Sequence, residues 1–160
     1  MEPVSEDRLE LSAASADETF AFGEKLGRAI QSHDFIGLSG RLGAGKTLFS
    51  RGVAQGAGVP LEDVSSPTYS IVQSYQGRAL TLHHADLYRL SSEADLFGTG
   101  YFDLLEETDG AFLVEWIEQV PSAAPADALL LTLEVTSPDT RRILARATGP
   151  ASRALLARWR

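Results

Sequence analysis

Polar and apolar residues alternate through Arg8-Leu9-Glu10-Leu11-Ser12, the period-two signature of an edge strand. Ser15 followed by Glu18 reads as a capping box, and Phe22, Leu26, Ala29 and Ile30 recur at helical spacing behind it, so a helix is predicted over 17–31. A short apolar run, Asp34-Phe35-Ile36-Gly37-Leu38-Ser39, fits an inner parallel strand, and 47–55 continues without proline as a helix that Gly56-Ala57-Gly58-Val59-Pro60 closes. Residues 69–75 and 79–85 are β-branched or alternating runs around Gln76-Gly77-Arg78, which predicts an antiparallel hairpin. The stretch 91–105 is helix-compatible but broken at Gly98-Thr99-Gly100, giving two short helices. A compact apolar strand at 111–116 ends in Glu115-Trp116; 129–136 and 141–147 form a second hairpin about Ser137-Pro138-Asp139; and Leu155, Leu156 and Trp159 mark the apolar side of a C-terminal helix within 150–160.

With 160 residues and 44% hydrophobic content, the expectation is one domain over 1–160, disordered at 1–6. No apolar stretch approaches a membrane span and no secretory leader is read at Met1, so the expected location is cytoplasmic, without membrane association. The absence of cysteine removes disulfides, thiol catalysis and cysteine-ligated zinc, leaving oxygen donors for any metal. A net charge of −8 disfavours strong direct binding of nucleic acid by this chain alone. The charge is uneven: after Asp139 come Arg141, Arg142, Arg146, Arg153, Arg158 and Arg160, read first as solvated charges complementing a helix end and second as a docking surface.

One segment carries specific chemistry. Gly40-Arg41-Leu42-Gly43-Ala44-Gly45-Lys46-Thr47 matches the phosphate-binding pattern G-x-x-x-x-G-K-[ST], set between the predicted strand and helix that the pattern requires. Its glycines let backbone N–H groups curl around phosphate oxygens; Lys46 reaches the outer phosphates, Thr47 offers a hydroxyl to magnesium, and Leu48 opens the helix. Lys46 is also one of only two lysines, beside Lys25, so an ammonium here is not background. A nucleoside triphosphate with Mg2+ is the expected ligand, in an α/β, three-layer P-loop NTPase-like fold with a mixed parallel and antiparallel sheet.

Hydrolysis or transfer needs further groups. Glu115 and Asp86 each end an apolar strand, where open α/β sheets place ligands, and each is a candidate for the metal or for a nucleophilic water. Asp86 alternatively caps a helix over Leu87-Tyr88-Arg89-Leu90. Thr68, in Ser65-Ser66-Pro67-Thr68-Tyr69, offers a hydroxyl to the terminal phosphate, or the segment is a plain turn. His83 and His84 point to opposite faces of an extended strand, so at most one can approach the site, and both are read as structural by default; Trp116 is core or pocket wall, able to shield a metal from water.

The ordered set of the phosphate loop, Ser-Pro-Thr-Tyr at 66–69, His-Ala-Asp-Leu-Tyr-Arg-Leu at 84–90 and Val-Glu-Trp at 114–116 resembles the TsaE family of bacterial tRNA threonylcarbamoyladenosine biosynthesis over roughly residues 15–147. The resemblance implies a magnesium-dependent ATPase, slow alone, that acts with a TsaB–TsaD pair on adenosine 37 of tRNA and meets tRNA through those partners. It implies phosphate binding around Lys46, metal binding by Thr47 and Glu115, and motif positions for Asp86, Thr68 and Trp116. Three departures stand out: Arg41 where the family usually has an acid, Ile117 for the usual proline after Glu-Trp, and no acid around Gly98-Thr99-Gly100-Tyr101. The alternatives are a small-molecule or nucleotide kinase of the P-loop class, with Arg89 as lid arginine, and a nucleotide-dependent assembly switch.

Overall fold

A computed structural model describes residues 5–64 and 71–160. In chain order its elements are β1 (Arg8–Ala13), α1 (Ala16–Ala29), β2 (Phe35–Ser39), α2 (Lys46–Gly56), β3 (Val72–Gln76), β4 (Thr81–Asp86), α3 (Tyr101–Glu107), β5 (Ala111–Glu115), β6 (Leu129–Val135), β7 (Arg141–Ala147) and α4 (Pro150–Trp159), with short 3-10 turns between them. At the start of α1 the Glu18 N–H donates to Ser15 Oγ over 3.2 Å, as the capping pattern predicts. The Glu18 carboxylate, however, takes the Ala14 N–H rather than that of Ser15. The broken stretch 91–105 becomes a 3-10 turn at Glu93–Asp95 and the short α3, with Gly98 and Gly100 both at positive φ between them.

The strands of the described residues join one seven-stranded sheet in the order β1-β7-β6-β2-β5-β4-β3. The inner pairs β6–β2, β2–β5 and β5–β4 are parallel, whereas β1–β7, β7–β6 and β3–β4 are antiparallel. The parallel strands β2 and β5 are buried nearly throughout, which is why they read as continuous apolar runs rather than alternations. Residues 69 and 70 of the predicted first hairpin lie outside the described residues.

Helices α1, α2 and α4 cover one face through a core that includes Leu26, Phe49, Val53, Leu155 and Trp159. The other face is covered by α3 and the 3-10 turns, through Leu87, Leu96, Tyr101, Ile117 and Ala123. This is the three-layer α/β arrangement with the mixed sheet that the sequence predicts.

The orientation of α2, whose first residue is Lys46, is set by unusually close packing on α1. A Cβ at Gly27 would lie 2.0 Å from the Val53 carbonyl oxygen, and one at Gly56 2.0 Å from that of Glu24. Both obstacles are backbone, so neither can swing aside. Gly27→Ala is therefore expected to force the helices apart and destabilise the fold by about 1–3 kcal/mol or more, read as a lowered midpoint in urea unfolding. A wild-type midpoint would show that the helices do not meet this closely.

Candidate nucleotide-binding site

Chain crossing from β2 to α2 passes through Gly40, Gly43 and Gly45, with φ of 146°, 83° and 103°. Gly43 and Gly45 occupy the left-handed region that disfavours a side chain. At Gly40 the added constraint is contact, because a Cβ would fall 2.6 Å from the Leu133 carbonyl oxygen of β6. The first N–H groups of α2 have no intrahelical acceptor, so the helix opens with donors at the loop. Arg41, Leu42 and Gly43 are exposed, Ala44 and Lys46 are buried, and Leu48 is half-buried.

Lys46 is only 5% exposed. Its Nζ donates to the carbonyl oxygens of Gly40 and of Arg41, the latter at 2.9 Å, and sits 3.8 Å from the centroid of the Trp116 ring. Two of the three ammonium donors are thus held by the loop itself, leaving one. Burial pushes its pKa down, while Glu118, Glu115 and Asp86 act to raise it, a balance that places several carboxylates around one cation.

Glu115 is 2% exposed and has a partner for each oxygen. Thr47 Oγ1 donates to its Oε1 over 3.2 Å and His84 Nε2 to its Oε2 over 2.6 Å. Strand register explains the meeting: β4 and β5 run parallel with Asp86 opposite Glu115, and pleat alternation puts His84 on the same face as Asp86. His83 faces the other way, bonded to Ser74 Oγ at 2.7 Å and Thr108 Oγ1 at 2.6 Å. Of the two histidines, His84 is therefore the one that approaches the site, where it is bonded to Glu115, and His83 packs on the opposite face.

Asp86 caps no helix. The chain after it makes a turn, in which the Tyr88 N–H donates to Asp86 Oδ1 over 2.9 Å, so the helix-cap alternative is replaced by a local side-chain turn. Burial raises the Asp86 pKa, with Glu115 adding to the rise and the Tyr88 N–H, His84 and Lys46 opposing it. Trp116 is half-buried and adopts φ 61°, uncommon for a bulky residue; its ring packs on Lys46 and lies 4.7 Å from that of Tyr88. Thr68 falls outside the described residues.

Two neighbours were not anticipated. Glu118 Oε2 accepts the Gly40 N–H over 2.9 Å, and Arg141 reaches the loop from β7 through the carbonyls of Ala44 and Gly43. Nothing in local spacing marks either one. Most of the other C-terminal arginines make surface contacts within the chain: Arg142 pairs with Glu134 and Glu10, Arg153 with Asp7, and Arg158 with Asp34, while Arg160 donates to the Arg8 carbonyl. Arg142, Arg146, Arg158 and Arg160 remain exposed, so the arginines are solvated charges that also make surface ion pairs and backbone contacts within the chain. A groove of about 770 Å3 also opens on the sheet face lined by Arg8, Leu130, Leu144 and Arg146. It approaches the loop's surroundings through Ser39, Ile117 and Glu118, and the converging charged groups lie at the loop instead.

Glu115 and Thr47 present oxygen atoms side by side at the start of α2, a donor set that suits magnesium. Among the described residues, no cluster of three or more His, Asp or Glu side chains is arranged to hold a metal alone, and no helix is long and apolar enough to cross a membrane.

Residues 13–143 match the family model described as threonylcarbamoyl adenosine biosynthesis protein TsaE. The tRNA threonylcarbamoyladenosine biosynthesis protein TsaE of Treponema pallidum is 38% identical over 129 residues, covering 81% of this chain and 93% of the relative. The protein of the same description from Bacillus subtilis is 32% identical over 142 residues, covering 89% and 87%. Among solved structures, that of Bacillus subtilis YdiB superposes with a TM-score of 0.77 at 26% identity, covering 95% of this chain and 93% of that one.

Proposed function

Because the chain belongs to the TsaE family of tRNA threonylcarbamoyladenosine biosynthesis, we propose that it binds ATP with magnesium in the glycine loop and hydrolyses it as the nucleotide-driven subunit of that modification. The observation that carries this reading is the convergence of Lys46, Thr47 and Glu115, from two elements, at the mouth of the loop. Backbone donors of 40–48 cradle the phosphates, and the remaining Lys46 donor reaches the outer ones. Thr47 and Glu115 are the groups that would hold magnesium together with phosphate and water oxygens, after breaking their mutual bond. When bound, the ion offsets charge on the phosphates as the terminal P–O bond breaks.

Asp86, beside Glu115, orients the attacking water, and Trp116 walls the site from bulk solvent. Thr68 contacts the terminal phosphate and reports its presence. The activity is directed at adenosine 37 through a TsaB–TsaD pair in the cytoplasm, with tRNA held by those partners, in keeping with the acidic charge of this chain.

The test is ATP hydrolysis by the purified chain, with and without a TsaB–TsaD pair and tRNA. Slow turnover alone, stimulation by the pair and loss of turnover on chelating magnesium are expected. Fast turnover indifferent to the pair would overturn the reading, and a phosphorylated small molecule as product would replace it with the kinase.

A further inference from the structure

We propose that Arg141 is a positioning residue that holds the phosphate loop in its binding shape from outside; the proposal rests on the nucleotide-binding reading of that loop. Its guanidinium spends its donors on backbone carbonyls of two separate segments. Nε donates to Ala44 O over 3.0 Å and Nη2 to Gly43 O over 3.4 Å, both in the loop. Nη1 donates to Ser137, Pro138 and Thr140 in the turn between β6 and β7, at 3.1, 3.1 and 2.9 Å.

The consequence for the loop follows from peptide geometry. In a trans peptide the C=O and the next N–H point in opposite directions. Drawing the Ala44 carbonyl towards Arg141 turns the Gly45 N–H away from it, and drawing the Gly43 carbonyl does the same for the Ala44 N–H, which donates to Arg41 O inside the loop over 3.0 Å. Gly45, at φ 103°, has backbone freedom to leave this arrangement unless its neighbour is held.

The anchor itself is stiff. Arg141 lies in register with Ala13 on one side and Val135 on the other. The turn it grips is tied by a Thr136 N–H to Thr140 O bond of 3.1 Å and by hydroxyl contacts of 2.6 Å from Thr140 to Thr136 and to Ser137. No carboxylate among the described residues pairs with Arg141, so its positive charge beside the loop also favours an anion there. Lysine is no substitute, because a single ammonium cannot span both segments.

Hydrogen exchange of the nucleotide-free protein and titration with fluorescent ADP test this in wild type, Arg141→Ala and Arg141→Lys. Both variants are expected to exchange the amides of 40–48 faster while the β5 peptide 111–115 keeps wild-type protection, and to bind ADP about tenfold more weakly. Wild-type exchange at 40–48, or unchanged ADP affinity, would overturn the proposal. If Arg141→Ala does not fold, Arg141→Lys decides by the same criteria. A wild-type chain that binds no ADP refutes the nucleotide reading instead, and loop exchange then decides the bracing alone.

Discussion

Replacing Lys46 with alanine is expected to weaken ATP and ADP binding by about 100-fold, since charge-assisted contacts contribute roughly 1.5–3 kcal/mol each and Lys46 also ties the loop to itself. The ammonium is buried in the loop, whereas Arg41 is exposed, and it bonds the carbonyls of Gly40 and Arg41. Its removal takes away a phosphate partner and releases the loop entrance together. Lys46→Arg should restore little, because a planar guanidinium cannot reproduce three donors radiating from one buried point. Equilibrium titration with a fluorescent ATP analogue measures the loss, and circular dichroism checks that the fold persists. Affinity near wild type in Lys46→Ala would place the phosphates elsewhere.

Glu115→Gln is expected to separate binding from turnover. Hydrolysis should fall by about 100-fold or more while ADP affinity in the absence of magnesium changes only a few-fold, the pattern of a group acting mainly in the transition state. The change keeps side-chain shape but leaves one carbonyl oxygen where two oxygens now serve Thr47 and His84. The carbonyl can stay on His84 while the amide donates to the Thr47 hydroxyl, which turns its own proton to solvent, so the stability loss should stay below about 1 kcal/mol. Single-turnover hydrolysis at saturating ATP reads the first quantity and urea unfolding the second. Normal hydrolysis by Glu115→Gln would remove Glu115 from the proposed metal site.

These two residues were legible in the sequence for different reasons. Lys46 sits in a local pattern whose spacing already encodes its geometry, because a loop of six residues between a strand and a helix has few conformations that fit the glycines. Glu115 was found because an acid closing a fully apolar strand is conspicuous. His84 escaped because alternation alone says that one histidine faces each side, not which side carries the site; that choice needed β4 paired in parallel with β5. The helix cap assigned as an alternative to Asp86 failed because the residues after it turn towards the second core, where Leu87 is buried, rather than coil.

Periodicity and short-range spacing sufficed for most strands and helices, the two hairpins and the glycine loop, because each depends on residues close together in the chain. The company the loop keeps was decided only on folding. Glu115 lies 68 positions from Thr47, Glu118 lies 78 from Gly40, and Arg141 lies 97 from Ala44. Contacts of that span are set by which strands become neighbours and by how closely α1 presses on α2, and no local pattern carries that information. The sequence marked the glycine loop; the sheet order supplied the carboxylates, the histidine and the arginine that surround it.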